Sequence, residues 1–462
     1  MGSRFSSLTA AFLVKNYHLM RFRKKGEKKT MLHDNLSINQ LGHLTFAGVD
    51  TVDMAKKYGT PLMLIDENRI RQRVRTYVGA MKKYFGEDAA PLYASKALCF
   101  KGIYKIVAEE GMSVDIVSPG ELYTAAQAGF PLKKAYFHGN NKTDEDIAYG
   151  MDLGIGYFIS DGYEEIDSID RIAGEKGIKQ RVLLRLTPGI DPHTNAKIST
   201  GKVDCKFGTP IETGQAEKYI AYTLTKQNIE LMGFHCHIGS QVFDTEPFCD
   251  AADIMIKYIA HIEKALGYHA SILNLGGGIG VRYVESDPYI DIDENLRLVS
   301  EHIKMRCEEF GVKMPTILME PGRSTVADSG MTLYTVGTVK SINDYKSYVS
   351  VDGGMTDNPR YTLYGSKYTM MVANKANQPA DFKCTIGGRC CESGDLLAED
   401  IYIQKPQRND LLAVFVTGAY NYSMASNYNR IGRPPIVIIK DGADRLAVRR
   451  ETFEDMVLRE LD

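Results

Sequence analysis

The sequence predicts an α/β protein: a (β/α)8 TIM-type barrel joined to a second, antiparallel β-rich C-terminal domain. Three observations carry that prediction. Between Pro91 and Gly322, short β-prone runs alternate with longer amphipathic ones. After Ser324 the helical periodicity stops, and short β-prone runs follow one another between Gly, Asn, Asp and Pro residues. A glycine-rich turn, Gly276-Gly277-Gly278-Ile279-Gly280, comes after the seventh run, whereas an open doubly wound sheet carries such a turn after its first strand.

The predicted barrel strands are Leu92–Ser95, Ser113–Val117, Ala135–His138, Tyr157–Ser160, Val182–Thr187, Leu231–His237, Ile272–Leu275 and Thr316–Glu320. Between them lie the amphipathic stretches Gly120–Gly129, Asp144–Leu153, Ile166–Lys176, Asp250–Leu266 and Ile292–Phe310. These steps span about 230 residues, close to the ~250 of a typical barrel of this kind. The β-rich domain is read from Thr332–Ile342, Ser347–Val351, Phe382–Ile386, Leu411–Val416, Ile436–Lys440 and Arg445–Val448, with Leu44–Glu67 contributing before the chain enters the barrel. The expected division is therefore an extension over 1–30, a segment joining the β domain over 31–67, the barrel over 68–325 and the β-rich domain over 326–462.

Composition narrows the function classes. With 44% hydrophobic and 25% charged residues, the chain has the balance of a globular protein, and a net charge of −2 gives no bulk attraction to nucleic acid. The eight cysteines are scattered without zinc-knuckle spacing, which suits reduced thiols in a cytoplasmic enzyme. No run is long and apolar enough for a membrane span. Near the N-terminus, the apolar run Leu8–Val14 precedes the basic run Arg21–Lys25, the reverse of a secretory signal. Met1-Gly2-Ser3-Arg4-Phe5-Ser6 fits the loose myristoylation pattern, but the segment reads more simply as a disordered extension before Met31.

Strand ends converge on one face of such a barrel, so the chemistry is sought there. Lys96 follows the first strand. Taken alone it is an ordinary surface lysine. The Gly276–Gly278 run follows the seventh strand, where backbone N–H groups can meet an anion. Glu320-Pro321-Gly322-Arg323 ends the eighth, offering a carboxylate and a guanidinium; a local ion pair is the plain alternative. His235 and His237 alternate onto the barrel interior. No third ligand is evident beside them, so a metal site is not expected: His235 reads as a packed core histidine, and a ring stacked on a planar cofactor is the other use for such a residue.

Lys96 within Ala94-Ser95-Lys96-Ala97, Asp115-Ile116-Val117-Ser118-Pro119-Gly120-Glu121-Leu122, His237-Ile238-Gly239-Ser240-Gln241, the glycine run and Glu320–Arg323 resemble the alanine-racemase-like (fold type III) pyridoxal-phosphate (PLP) decarboxylases. Asp352–Arg360, Cys391-Glu392-Ser393-Gly394-Asp395 and Gly418-Ala419-Tyr420 are similar to the branch acting on meso-diaminopimelate, at the last step of lysine biosynthesis. The likeness runs in motif order from about Met31 to the C-terminus. It implies that Lys96 would hold PLP through its amine and exchange it for the substrate amine. Gly276, Gly277, Gly278 and Ser240 would hold the phosphate, His237 would stack on the ring and Glu320 would pair with its nitrogen. Racemases of this fold place an arginine at that last position, which weakens the electron sink. Asp115, Gly322, Arg323 and Tyr420 would complete the cofactor site. Arg323, Arg360, Tyr364 and Tyr420 would meet the substrate, with Glu392 on its distal ammonium and Cys391 as proton donor. The resemblance further implies a homodimer whose Cys391–Asp395 loop enters the neighbouring pocket. The same fold also decarboxylates ornithine, arginine and carboxynorspermidine; Arg360 and the Cys391–Asp395 loop favour a dicarboxylic substrate. A non-catalytic binding protein of this fold would have no need of Lys96, Glu320 and Cys391 together. Asn195 departs from the family, where a histidine is usual, and the first 30 residues match nothing in it.

Overall fold

In the computed structural model, residues 31–190 and 204–461 are described. The predicted N-terminal extension and the Asp191–Asn195 departure lie outside them. Eight parallel strands close into a barrel: β1 (Ala90–Ala94), β2 (Ser113–Ile116), β3 (Ala135–Phe137), β4 (Tyr157–Ser160), β5 (Gln180–Thr187), β6 (Ile229–His235), β7 (Ile272–Asn274) and β8 (Thr316–Met319). Closure comes from β8 pairing with β1, Leu318 opposite Ala90 and Met319 opposite Pro91. Each strand matches a predicted run to within a few residues. They are legible because parallel strands buried on both faces appear as nearly continuous apolar runs.

The outer ring differs from a simple strand–helix repeat. After β8 only the short helix Arg323–Val326 forms. The remaining place is taken by Glu67–Phe85, which precedes β1 and packs against Ile292–Phe310. Ser300 Oγ donates to the Tyr84 carbonyl at 2.7 Å, tying these two helices together.

The barrel is plugged below its mouth. Leu92, Tyr136, Ile159, Leu183, Ile272 and Leu318 point inward as one apolar cluster, with Tyr136 stacked on Tyr157 at 4.3 Å. Filling the lower half this way leaves room for a ligand only at the C-terminal ends of the strands.

The second domain is built on the long strand Gly330–Ile342. Its large sheet runs Leu396–Ile403, Phe382–Gly387, Lys346–Val351, Gly330–Ile342, Leu62–Asp66, Ile436–Lys440 and Ala443–Val448, while Leu411–Phe415 and Met370–Val372 extend from the central strand. Most pairings are antiparallel, as expected, but two are parallel: Lys346–Val351 with Phe382–Gly387, and Leu62–Asp66 with Ile436–Lys440. Parallel neighbours need a long crossover. The first pair has the Arg360–Tyr364 helix in its connection, and the second has the whole barrel between its strands. Leu396–Ile403 was not foreseen; it is an edge strand carrying Glu399 and Asp400, charges that blunt an exposed edge and mask a β pattern. No helix among the described residues is long and apolar enough to cross a membrane.

Candidate active site

A cavity of about 440 Å³ opens where the β domain caps the barrel mouth. Its floor and walls come from strand ends: Lys96 after β1, Asp115 on β2, His138 after β3, Arg185 on β5, His235 and His237 at the end of β6, and Glu320 after β8. The β domain contributes Arg360, Tyr364, Tyr420 and Met424.

Glu320 is the hub of the buried end. Asn274 Nδ2 donates to its Oε1 at 2.6 Å, and His138 Nε2 lies 3.0 Å from the same oxygen. His235 Nε2 is 3.2 Å from Oε2. Burial pushes the Glu320 carboxyl up, but the two imidazoles outweigh it and hold the group well below the usual carboxylate range. Burial drives His235 down to about 4, so it is neutral at pH 7. The sequence offered no third group at the depth of His235. The fold supplies two, His138 and Glu320, within 4.8 Å of one another and of His235.

The glycine turn is shaped as much by packing as by ligand access. A Cβ on Gly277 would stand 2.1 Å from the Glu320 carbonyl oxygen, one on Gly278 2.6 Å from that of Gly239, and one on Gly276 2.6 Å from that of Cys236. The N–H of Gly276 donates to Asn274 Oδ1 at 2.9 Å, and that of Gly277 to His237 Nδ1 at 3.2 Å. The expected three-glycine nest is therefore narrower: Gly277, Gly278 and Ile279 line the cavity, and Gly276 stands behind them. Arg323 is buried beside this turn, bonded through Nε and one terminal nitrogen to Ser240 Oγ (3.2 and 3.0 Å) and through the other to the Tyr283 hydroxyl (2.9 Å).

On the β-domain side sits Arg360. Its guanidinium lies over the rings of Tyr364 (4.8 Å) and Tyr420 (5.0 Å), and one nitrogen is 3.8 Å from Met424 Sδ. The residue is 5% exposed, its Nε has no hydrogen-bond partner, and no carboxylate among the described residues pairs with it. Tyr420 is placed by a left-handed backbone (φ 67°) that lets its N–H donate to the Ala97 carbonyl at 2.6 Å, next to Lys96.

A pyridoxal-dependent decarboxylase pyridoxal-binding domain matches residues 68–327, and the C-terminal sheet domain of the same enzymes matches 240–418. The chain is 45% identical to the diaminopimelate decarboxylase of Bacillus methanolicus, over 91% of this chain and 97% of that protein. It is 44% identical to the one from Bacillus subtilis, over 93% and 98%. The chain belongs to the diaminopimelate decarboxylase family. Among solved structures, the family member from M. jannaschii in complex with L-lysine aligns with a TM-score of 0.86 at 33% identity, covering 94% of this chain and 99% of that one.

Pyridoxal phosphate is the cofactor of this family, and the residues present suit it. The buried Arg323 has no carboxylate partner among the described residues and stands with Ser240 beside the open glycine turn, an anion site. The ionised Glu320 lies in the same cavity as the Lys96 amine.

Of the residues predicted from sequence, Lys96, Asp115, His237, Ser240, Gly277, Gly278, Glu320, Gly322, Arg323, Arg360, Tyr364 and Tyr420 line one cavity. Cys391 and Glu392 do not. They lie exposed on the turn between Phe382–Gly387 and Leu396–Ile403, whose base is pinned by the Asp395 carboxylate accepting from the N–H groups of Met355 (2.6 Å) and Cys390 (2.7 Å). Sequence reasoning passed over His138, Asn140, Arg185 and Phe207, which also line the cavity. His138 and Arg185 end or sit within predicted strands, so examining the ends of all eight strands would have found them.

Proposed function

We propose that this chain is a cytoplasmic, homodimeric PLP-dependent decarboxylase that converts meso-2,6-diaminopimelate to L-lysine and CO2, the last step of lysine biosynthesis. The observation that carries the reading is Arg360: a buried guanidinium without a carboxylate partner, in the same cavity as the Lys96 amine and the Glu320 carboxylate. A buried charge left unpaired is costly, and a substrate with a second carboxylate relieves that cost.

When bound, the cofactor supplies an electron sink for the pair released as CO2 leaves. The protein's residues do the rest. Lys96 Nζ would hold the cofactor until the substrate amine takes its place. Glu320 would keep the ring nitrogen protonated, His237 would stack against the ring, and Asp115 and Gly322 would complete that wall. Ser240, Gly277, Gly278 and Arg323 hold the phosphate, with Gly276 shaping the turn behind them. Arg360, Tyr364 and Tyr420 grip the distal carboxylate, aided by Arg323, and fix which end of the substrate reaches Lys96. A second copy of the chain contributes Glu392 to the distal ammonium. Its Cys391 thiol returns a proton to the carbon that lost its carboxylate. The exposure of both residues in their own chain supports this sharing.

The test is CO2 release from meso-diaminopimelate, ornithine and arginine by the same preparation. The reading expects strong preference for the first. Equal or faster release from ornithine or arginine would remove Arg360 from substrate selection and the proposal with it.

A further inference from the structure

Besides the groups the family resemblance points to, the cavity holds a buried histidine, His138, against Glu320. His138 leaves β3 with 4% exposure, Nε2 3.0 Å from Glu320 Oε1 and 3.7 Å from Asp115 Oδ1, its ring edge-on to His235 at 5.0 Å. We infer that His138 is a positioning residue for the cofactor: as an imidazolium between Asp115 and Glu320, it keeps Glu320 ionised and aimed at the ring nitrogen. The inference rests on the reading of this cavity as a PLP site.

Charge counting around Glu320 leads there. His235 and Asn274 also contact the carboxylate, but Asn274 is neutral and burial keeps His235 neutral at pH 7. That leaves His138 as the one cation touching Glu320 among the described residues. Burial alone would lower the His138 pKa, yet Asp115 and then Glu320 outweigh it and hold it raised. Asp115 is itself pushed up, first by burial and then by Glu320, against His138, Lys96 and Arg185. Two carboxylates that stand 3.7 and 3.0 Å from His138 Nε2 favour sharing a proton unless a cation lies between them. With His138 charged, Asp115 and Glu320 balance one imidazolium and one protonated ring nitrogen. Without it, the two acids share a proton, and Glu320 meets the ring partly as a neutral acid that no longer favours ring protonation.

The substitution His138→Gln keeps a hydrogen-bond donor at the site and removes the charge. His138→Ala removes both. Two measurements on each are compared with the unaltered enzyme: equilibrium PLP binding to the apo-protein from pH 5.5 to 8, and the absorbance of bound cofactor over the same range. Loss of the cation raises the carboxylate pKa, so the acid limb of both curves moves to higher pH. The expected result is about tenfold weaker PLP binding near pH 6 with recovery toward pH 8 in both variants, a shift of about one pH unit. Curves that superimpose on the unaltered enzyme, or a loss of equal size at every pH in His138→Gln, would overturn the inference by reducing His138 to packing. An unaltered enzyme that binds no PLP overturns the cofactor reading itself, a failure visible before any variant is made.

Discussion

The two ends of the cavity are built on different terms. At the buried end, Glu320 is contacted by His138, His235 and Asn274, every one from a barrel strand or its end. On the β-domain side, Arg360 lies over two tyrosine rings, with no carboxylate partner among the described residues and with Cys391 and Glu392 exposed and outside the cavity lining. On the proposed reading, one chain completes the cofactor half and leaves the substrate half to be closed by a second copy. Cofactor binding would then be a property of the rigid barrel, and substrate choice one of loops, the second domain and a second copy.

The largest effect should come from breaking the cofactor half. Replacement of Lys96 by alanine removes the amine and should lower turnover on the order of a thousandfold or more. The yellow cofactor absorbance that borohydride bleaches should vanish with it. Normal turnover in that variant would take lysine out of the chemistry.

Breaking the substrate half should be milder and selective. Arg360→Ala should lower kcat/KM for meso-diaminopimelate about 10²- to 10³-fold while the cofactor spectrum stays as it was. Arg360→Lys should recover only part, since an ammonium lacks the fork that holds a carboxylate and stacks less well between Tyr364 and Tyr420. An altered cofactor spectrum in either variant would mean that the two ends are not separable.

The division between one chain and two can be sharpened by mixing. Lys96→Ala and Cys391→Ala are each expected to be nearly inactive. Co-refolded in equal amounts, the two variants of a shared-site dimer would give heterodimers in which one of the two sites has both groups intact. Random pairing then returns about a quarter of the unaltered activity. No recovery above the two parents would place Cys391 and Lys96 in the same chain's site.

The same contrast explains what could be seen in the sequence. The eight barrel strands were legible because each is a short, continuous apolar run bounded by turn residues, as in Tyr157–Ser160. The lysine, the glycine turn and Glu320 were legible because they sit at strand ends, and their fuller roles came from motif resemblance. His138 was not legible, because its meaning depends on Glu320 and Asp115 arriving from β8 and β2, which only barrel closure brings together. The glycine turn was half legible. Its place was clear, but not that neighbouring carbonyls, as much as a phosphate, exclude side chains there. For Cys391 and Glu392 the limit is different in kind, since one chain does not contain the cavity they are proposed to serve.

The smallest effect concerns stability and tests whether the cofactor end is costly even to an empty protein. Glu121 is half-buried, with Oε2 accepting from the Val117 N–H at 2.8 Å. Burial, with Asp115 adding to it, pushes its carboxyl from an ordinary 4.5 up to about 7. An acid whose folded pKa is raised holds its proton more tightly when folded, so its contribution to stability is full below pH 4.5 and fades as the pH rises to about 7. Glutamine at this position can still accept from Val117 and never ionises. Relative to the unaltered protein, Glu121→Gln should therefore gain stability between pH 5 and pH 7.5, on the order of 2 kcal/mol at the upper end, with little difference at the lower. Denaturant midpoints of the two apo-proteins at several pH values measure it. A gap that stays constant with pH would show that Glu121 is ionised in the fold throughout, and that Lys96 or the Val117 N–H offsets its burial.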